Sequence, residues 1–195
     1  AGFSRENFQP GFIVEPGDDT IQGFIDYRDW IINPTGINFK TSLEEVSILL
    51  RPEDIDLFYV NDELYTAAIV KFETSPVMTS ELEKHPDLSF ETGAVFLKTL
   101  ISGEKSLHYL KTKDGRDNFY TGQKPDIDLL IYKRYIGKGR GDIIFTEDGN
   151  SVIIENKKYL GQLIYYLQDC PGVRQEIEDL HYTKKSLMNL FNFYY

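Results

Sequence analysis

The spacing of apolar residues changes near residue 158, and this change limits the folds that the chain can adopt. Before it, apolar and polar residues alternate along short segments separated by turns, as is typical of β-strands. After it, apolar residues recur at helical spacing in residues 160–167, 173–180 and 187–194. Strands first and helices last predict an α+β fold with three short C-terminal helices.

Turn-forming residues divide the strand-like part into two units. In residues 1–74, Pro16-Gly17 and Asn61-Asp62 mark turns between short strands, which predicts a small antiparallel barrel or roll. Residues 75–90 are polar and contain prolines, and we interpret them as a connection. Residues 91–195 predict a β-meander followed by the helices. Whether the two units pack as one domain stays open.

Two strand boundaries and one core residue follow from the same pattern. We expect the second strand to extend through residues 30–32 before Asn33-Pro34 ends it, and residues 128–136 to form a single strand. We expect Trp30, the only tryptophan, to be a core residue because large aromatic side chains are usually buried.

Composition narrows the classes of partner. The 195-residue chain has 41% hydrophobic residues, enough for a packed core, and a net charge of −10 that disfavours nucleic acid as a partner. No apolar run is long enough for a transmembrane helix.

The single cysteine, Cys170, excludes an intrachain disulfide, and we expect its thiol to be buried. The first residue is not Met, so we expect that a removed N-terminal segment, which could have held a signal peptide, preceded it.

One spacing resembles a catalytic pattern. Asp142, followed by a strand-like run to Glu155-x-Lys157 and then by Gln162, matches the order found in restriction-type nucleases. Two carboxylates at adjoining strand ends can hold a divalent metal, while the lysine ammonium steadies the attacking water or the developing charge. The alternative is that these residues are surface charges of an ordinary hairpin.

Three arguments favour the surface interpretation. Glu and Lys are common at hairpin edges, so many strand pairs match this loose pattern by chance. The net charge opposes DNA. The four residues between Lys157 and Gln162 leave little chain to end a strand and start a helix. We therefore assign no catalytic residue, no metal and no cofactor, and keep the nuclease as the alternative.

The loop at residues 136–141 is the candidate binding segment. It places Lys138 and Arg140 between glycines, but it lacks the Lys-Ser or Lys-Thr of a phosphate-binding loop and precedes a hairpin instead of a long helix. We interpret it as a flexible loop whose two basic residues contact a partner.

Several segments together resemble uncharacterised exported proteins of Bacteroidetes. These segments are GFIDYRDW at 23–30, NP at 33–34, FL at 96–97, LHY at 107–109, LIYK at 130–133, YLGQL at 159–163 and DCP at 169–171. In that family, a similar module follows a signal peptide and often precedes an outer-membrane β-barrel domain.

The resemblance implies a periplasmic or surface-facing module associated with the outer membrane. It carries over no catalytic residues, and it implies that residues 155–157 and 161–163 are structural. Together with the acidic composition, it predicts a non-enzymatic cell-envelope module that binds a protein or glycan partner through an exposed sheet face or the loop at 136–141. The ligand and the oligomeric state are not predicted.

Overall fold

The computed structural model describes residues 6–137 and 152–195. Its strands are β1 (Phe8–Val14), β2 (Thr20–Asp26), β3 (Ile37–Lys40), β4 (Ile48–Leu50), β5 (Leu57–Val60), β6 (Glu63–Glu73), β7 (Phe90–Ile101), β8 (Leu107–Lys111), β9 (Asp117–Gln123), β10 (Asp126–Leu130), β11 (Lys133–Gly137) and β12 (Val152–Asn156). Its helices are α1 (Lys158–Tyr166), α2 (Val173–Glu178) and α3 (Lys184–Tyr194), with one 3-10 turn at Thr79–Glu81.

Ten strands form one antiparallel sheet in the order β10-β9-β8-β7-β6-β5-β1-β2-β3-β4. Most neighbours in the sheet are also neighbours in sequence, as hairpin connections require. The exception is β5, which lies beside β1 because the chain returns from the edge strand β4. β11 and β12 form a separate two-stranded antiparallel sheet. The α+β fold with mostly antiparallel strands and three C-terminal helices is confirmed.

The two faces of β6 and β7 contribute to different hydrophobic cores. Tyr65 and Phe96 lie on one face and pack with residues of β1, β2, β3 and β5. Val70 and Leu97 lie on the opposite face and pack with residues of β8, β9 and β10. Because successive strand residues alternate in direction, one hairpin supports both halves of the sheet.

The predicted connection, residues 75–90, links these two strands. β6 and β7 pair directly along their length, from Leu64 with Thr99 to Glu73 with Phe90. The predicted N-terminal and C-terminal units are therefore joined by a continuous hydrogen-bonded sheet.

The C-terminal helices cover the outer face of β8 to β10. Leu163 of α1, Ile177 of α2 and Phe191 of α3 are buried in one cluster with Leu107 and Phe119 of the sheet. This packing is the burial that the helical spacing predicts. Thr183 begins α3 by accepting a hydrogen bond from the Ser186 N–H, as N-cap residues do.

Two predicted strand boundaries were wrong. β2 ends at Asp26, and residues 27–32 form no strand because Asp29 takes a positive φ of 49° and turns the chain. The predicted strand at 128–136 is two strands, since residues 131 and 132 separate β10 from β11. Trp30 is half-buried, and its ring packs edge-on against Phe58.

Candidate functional site

The strands β7 and β8 pair over only part of their length. The ladder holds at Lys98 with Tyr109 and at Thr99 with His108. Residues 90–97 of β7 pair with β6 but have no partner in β8, because the two strands diverge there. The divergence opens a cleft in the middle of the ten-stranded sheet.

Asn33 occupies the point where the two strands separate. Its Nδ2 donates to the Phe96 carbonyl at 2.8 Å and to the Tyr109 carbonyl at 2.9 Å, while its Oδ1 accepts from the Lys111 N–H at 2.9 Å. A carboxamide has the C=O acceptor of a peptide group and two N–H donors where a peptide group has one. Asn33 therefore takes the place of one peptide unit of a strand lying between β7 and β8.

The cleft continues outward from Asn33 and has a volume of about 500 Å³. Phe72, Val95 and Leu110 form an apolar floor that belongs to the core of the second half of the sheet. Residues 32–35 form one wall, and residues 111–114 of the β8–β9 hairpin form another. A mostly apolar recess with polar groups at its border has the usual character of a ligand site.

The edge of β7 that faces the cleft carries unpaired backbone groups. The Phe96 carbonyl points to Asn33, on the β8 side of β7. Backbone groups alternate in direction along a strand, so the N–H and C=O of Thr92 and Ala94 point to the same side. Within residues 6–137 and 152–195, no hydrogen bond joins these groups to another residue. Residues 90–95 contain no proline that would block pairing.

Exposed side chains border the mouth of the cleft. Ile32 lines it and is 40% exposed, whereas its neighbour Ile31 is 80% exposed and does not line it. Glu91 and Lys113 stand on opposite sides, both exposed, and neither forms an ion pair with another residue that the structure describes. The mouth therefore combines an apolar residue with charged side chains of both signs, Glu91 and Asp114 against Lys111 and Lys113.

Gln162 repeats the Asn33 arrangement at the outer edge of β10. Its Nε2 donates to the Leu129 carbonyl at 2.9 Å, and its Oε1 accepts from the Ile131 N–H at 2.8 Å. This carboxamide satisfies an edge strand that would otherwise face solvent or a partner strand. The edge of β10 is therefore blocked at this point, whereas the edge of β7 is open beyond Asn33.

His108 lies beside the paired end of β7 and β8 and is buried. Its Nε2 lies 3.0 Å from the Gly122 carbonyl, which can only accept, so Nε2 carries the proton. Its Nδ1 lies 3.0 Å from the Thr99 hydroxyl. Burial lowers the pKa of His108, which keeps the ring neutral near pH 7. These contacts make His108 a structural residue of the inner sheet face.

A buried ion pair lies beside the start of the 75–90 connection. Glu73 and Arg116 are 3% and 5% exposed at their side chains and form an ion pair. Arg116 also donates to the Ser75 carbonyl at 2.9 Å, and Asn118 Oδ1 accepts from the Glu73 N–H. Charges at this depth need such partners, so this group holds the start of the 75–90 connection in place.

The residues of the predicted nuclease site are only partly described. The Oε2 atom of Glu155 on β12 lies 2.9 Å from the Nζ atom of Lys157, and the Glu155 carboxylate accepts a hydrogen bond from the Tyr132 hydroxyl. Burial acts to raise the pKa of Glu155, but the hydrogen bonds from Tyr132 and Lys157 outweigh it, and the pKa is lowered. Asp142 lies outside the described residues.

The predicted binding residues Lys138 and Arg140 also lie outside the described residues. One argument against the nuclease was wrong, however. β12 ends at Asn156 and α1 begins at Lys158, so the chain passes from strand to helix within the spacing that seemed too short. The nuclease therefore stays an alternative, and two of the three arguments against it remain.

Two properties of the described residues bear on metals and membranes. No group of three or more His, Cys, Asp or Glu side chains in residues 6–137 and 152–195 is arranged to hold a metal ion. Across the same ranges, each helix is too short or too polar to cross a lipid bilayer.

Comparison with known proteins identified no relative of this chain. No protein family, curated protein or solved structure matches this chain. The resemblance to exported Bacteroidetes proteins stays a prediction, and the function has to be argued from the cleft itself.

The sequence did not reveal the cleft. It marked Asn33-Pro34 only as the end of a strand, because a turn signal carries no information about contacts 63 and 76 residues away. In the structure, β7 has 12 residues, whereas its neighbour β8 has five. Unequal strand lengths in a hairpin indicate an unpaired edge.

Proposed function

We propose that this chain is a non-enzymatic binding module that captures a protein partner in the cleft between β7 and β8. The cleft, with its apolar floor and the unpaired edge of β7, is the observation that supports the proposal. Binding sites in β proteins commonly combine an apolar recess with a few positioned polar groups. The cell envelope is the proposed location, on the resemblance described above.

The sequence offered a protein or a glycan as the partner, and the cleft favours a protein. Phe72, Val95 and Leu110 form a floor that suits aliphatic side chains. Beside this floor, the β8 side of β7 also presents the unpaired backbone N–H and C=O groups of Ala94. Edge strands with such groups recruit peptides.

Selection of peptides on the immobilised protein tests the proposal. A random peptide library displayed on phage is selected against the wild-type chain, and the affinity of enriched peptides is measured by fluorescence anisotropy. Ile32→Asp places a charge at the mouth of the cleft, and we expect it to weaken binding at least about tenfold, or about 1.4 kcal/mol.

Ile31→Asp is the matched control, since Ile31 is the neighbouring residue, more exposed, and outside the cleft. We expect its effect on affinity to be less than about threefold, because a charge on an exposed side chain is solvated. Equal effects of the two variants, or no enriched peptide that binds the wild type, would overturn the proposal.

A further inference from the structure

The unpaired edge of β7 specifies how a partner binds, and this inference rests on the proposed function. We infer that the cleft binds an extended polypeptide segment as an added β-strand between β7 and β8, with aliphatic residues at alternate positions. Asn33 forms the first rung of that strand, and the bound segment continues it toward Phe90.

The width of the gap supports an added strand. In a direct ladder the Lys111 N–H would donate to the Phe96 carbonyl, whereas here both groups bond to the carboxamide of Asn33. That carboxamide therefore holds β7 and β8 apart at this point, and we infer that the gap beyond it takes one intervening strand, which would lie roughly 4.8 Å from each neighbour.

The spacing of the free groups also matches a polypeptide. Thr92 and Ala94 present donors and acceptors at the two-residue repeat of a strand, roughly 6.8 Å, which is the repeat of another extended chain. The free edge, residues 90–95, spans roughly 20 Å at about 3.4 Å per residue. It therefore pairs with a segment of five or six residues.

Side chains of the segment alternate between two environments. Every second side chain faces the floor made by Phe72, Val95 and Leu110, so these positions take aliphatic residues. The intervening side chains point away from the floor and are free to be polar. Glu91 at the mouth favours a basic residue of the segment near β7.

Amide hydrogen exchange measured by NMR tests the mode of binding. In the free protein, we expect the amides of Thr92 and Ala94, which point away from β6, to exchange rapidly, whereas those of Gly93 and Val95, which point to β6, exchange at least about a hundredfold more slowly. The probe is the peptide acetyl-Lys-Val-Thr-Val-Thr-Val-Lys-amide at millimolar concentration. Its addition should slow exchange at Thr92 and Ala94 at least about tenfold and leave Gly93 and Val95 unchanged.

Two results would overturn the added strand. One is slow exchange of Thr92 and Ala94 in the free protein, because the edge would then already be paired. The other is unchanged exchange at both amides with the probe peptide present, because backbone pairing tolerates many sequences.

The peptide selection separates this failure from failure of the proposed function. If selected peptides bind and Ile32→Asp weakens them while Thr92 and Ala94 stay unprotected, the cleft binds partners through side chains alone. The proposed function then stands, and the added strand is wrong. If neither experiment detects binding, both are wrong.

Discussion

Replacement of Asn33 by alanine should destabilise the fold, and the structure gives the size of the effect. Asn33 is 9% exposed, and its side chain bonds to three backbone groups, on Phe96, Tyr109 and Lys111. A buried backbone group left without a partner costs about 1–3 kcal/mol. Removal of the carboxamide leaves all three backbone groups without this hydrogen-bond partner.

The three costs are unequal. Phe96 is fully buried, so its carbonyl bears the full cost. Tyr109 keeps its ladder pairing with Lys98, and Lys111 is half-buried beside the open cleft, where water can replace the lost bond. The sum is a loss of roughly 3 kcal/mol in the free energy of unfolding.

Urea unfolding followed by circular dichroism measures this loss. Asn38→Ala is the matched control, because Asn38 on β3 is exposed, and we expect it to change stability by less than about 0.5 kcal/mol. A loss below about 1 kcal/mol for Asn33→Ala would show that the carboxamide does not bridge the strands.

Asn33→Asp extends this test through its pH dependence. The variant places a carboxylate against two carbonyl oxygens, so we expect it to be less stable than Asn33→Ala at pH 7. The folded state raises the pKa of that carboxyl above its unfolded value, so stability should recover as pH falls through the raised pKa. No recovery at low pH would contradict the contact with the two carbonyls.

Three further predictions concern other parts of the molecule. Gln162→Ala should lose about 2 kcal/mol in urea unfolding, whereas the exposed Gln175→Ala should be nearly neutral. Because burial depresses the pKa of His108 in the folded state, wild-type stability should fall as pH drops below about 6.5, by at most about 1.4 kcal/mol per pH unit, and His108→Gln should fall less steeply in the same titration. Incubation with DNA or RNA and Mg²⁺ or Mn²⁺ should give no cleavage; cleavage by the wild type and not by a Glu155→Gln, Lys157→Ala double variant would establish the nuclease instead.

The sequence predicted elements better than it predicted their arrangement. The helical spacing located all three helices, because this signal arises from local periodicity. The second strand was predicted too long, since nothing in the run before Trp30 shows that Asp29 adopts a left-handed conformation.

The candidate site was not predictable for a related reason. The cleft depends on where β7 and β8 separate and on an asparagine from a distant loop, and both are tertiary properties. Gln162 illustrates the same limit: the nuclease pattern included it, yet the structure shows its carboxamide bonded to the backbone of Leu129 and Ile131. A polar residue in a motif does not reveal which backbone groups it satisfies.

The β6–β7 hairpin couples the stability of the two halves of the sheet. A side-chain change at Tyr65 or Val70 weakens the core on a single face, but a break in the hairpin backbone removes a wall from both cores. We therefore expect one cooperative unfolding transition for the chain. A partner that adds to β7 would also raise the melting temperature of the N-terminal strands β1 to β5, although it contacts that half of the sheet only at residues 32–35.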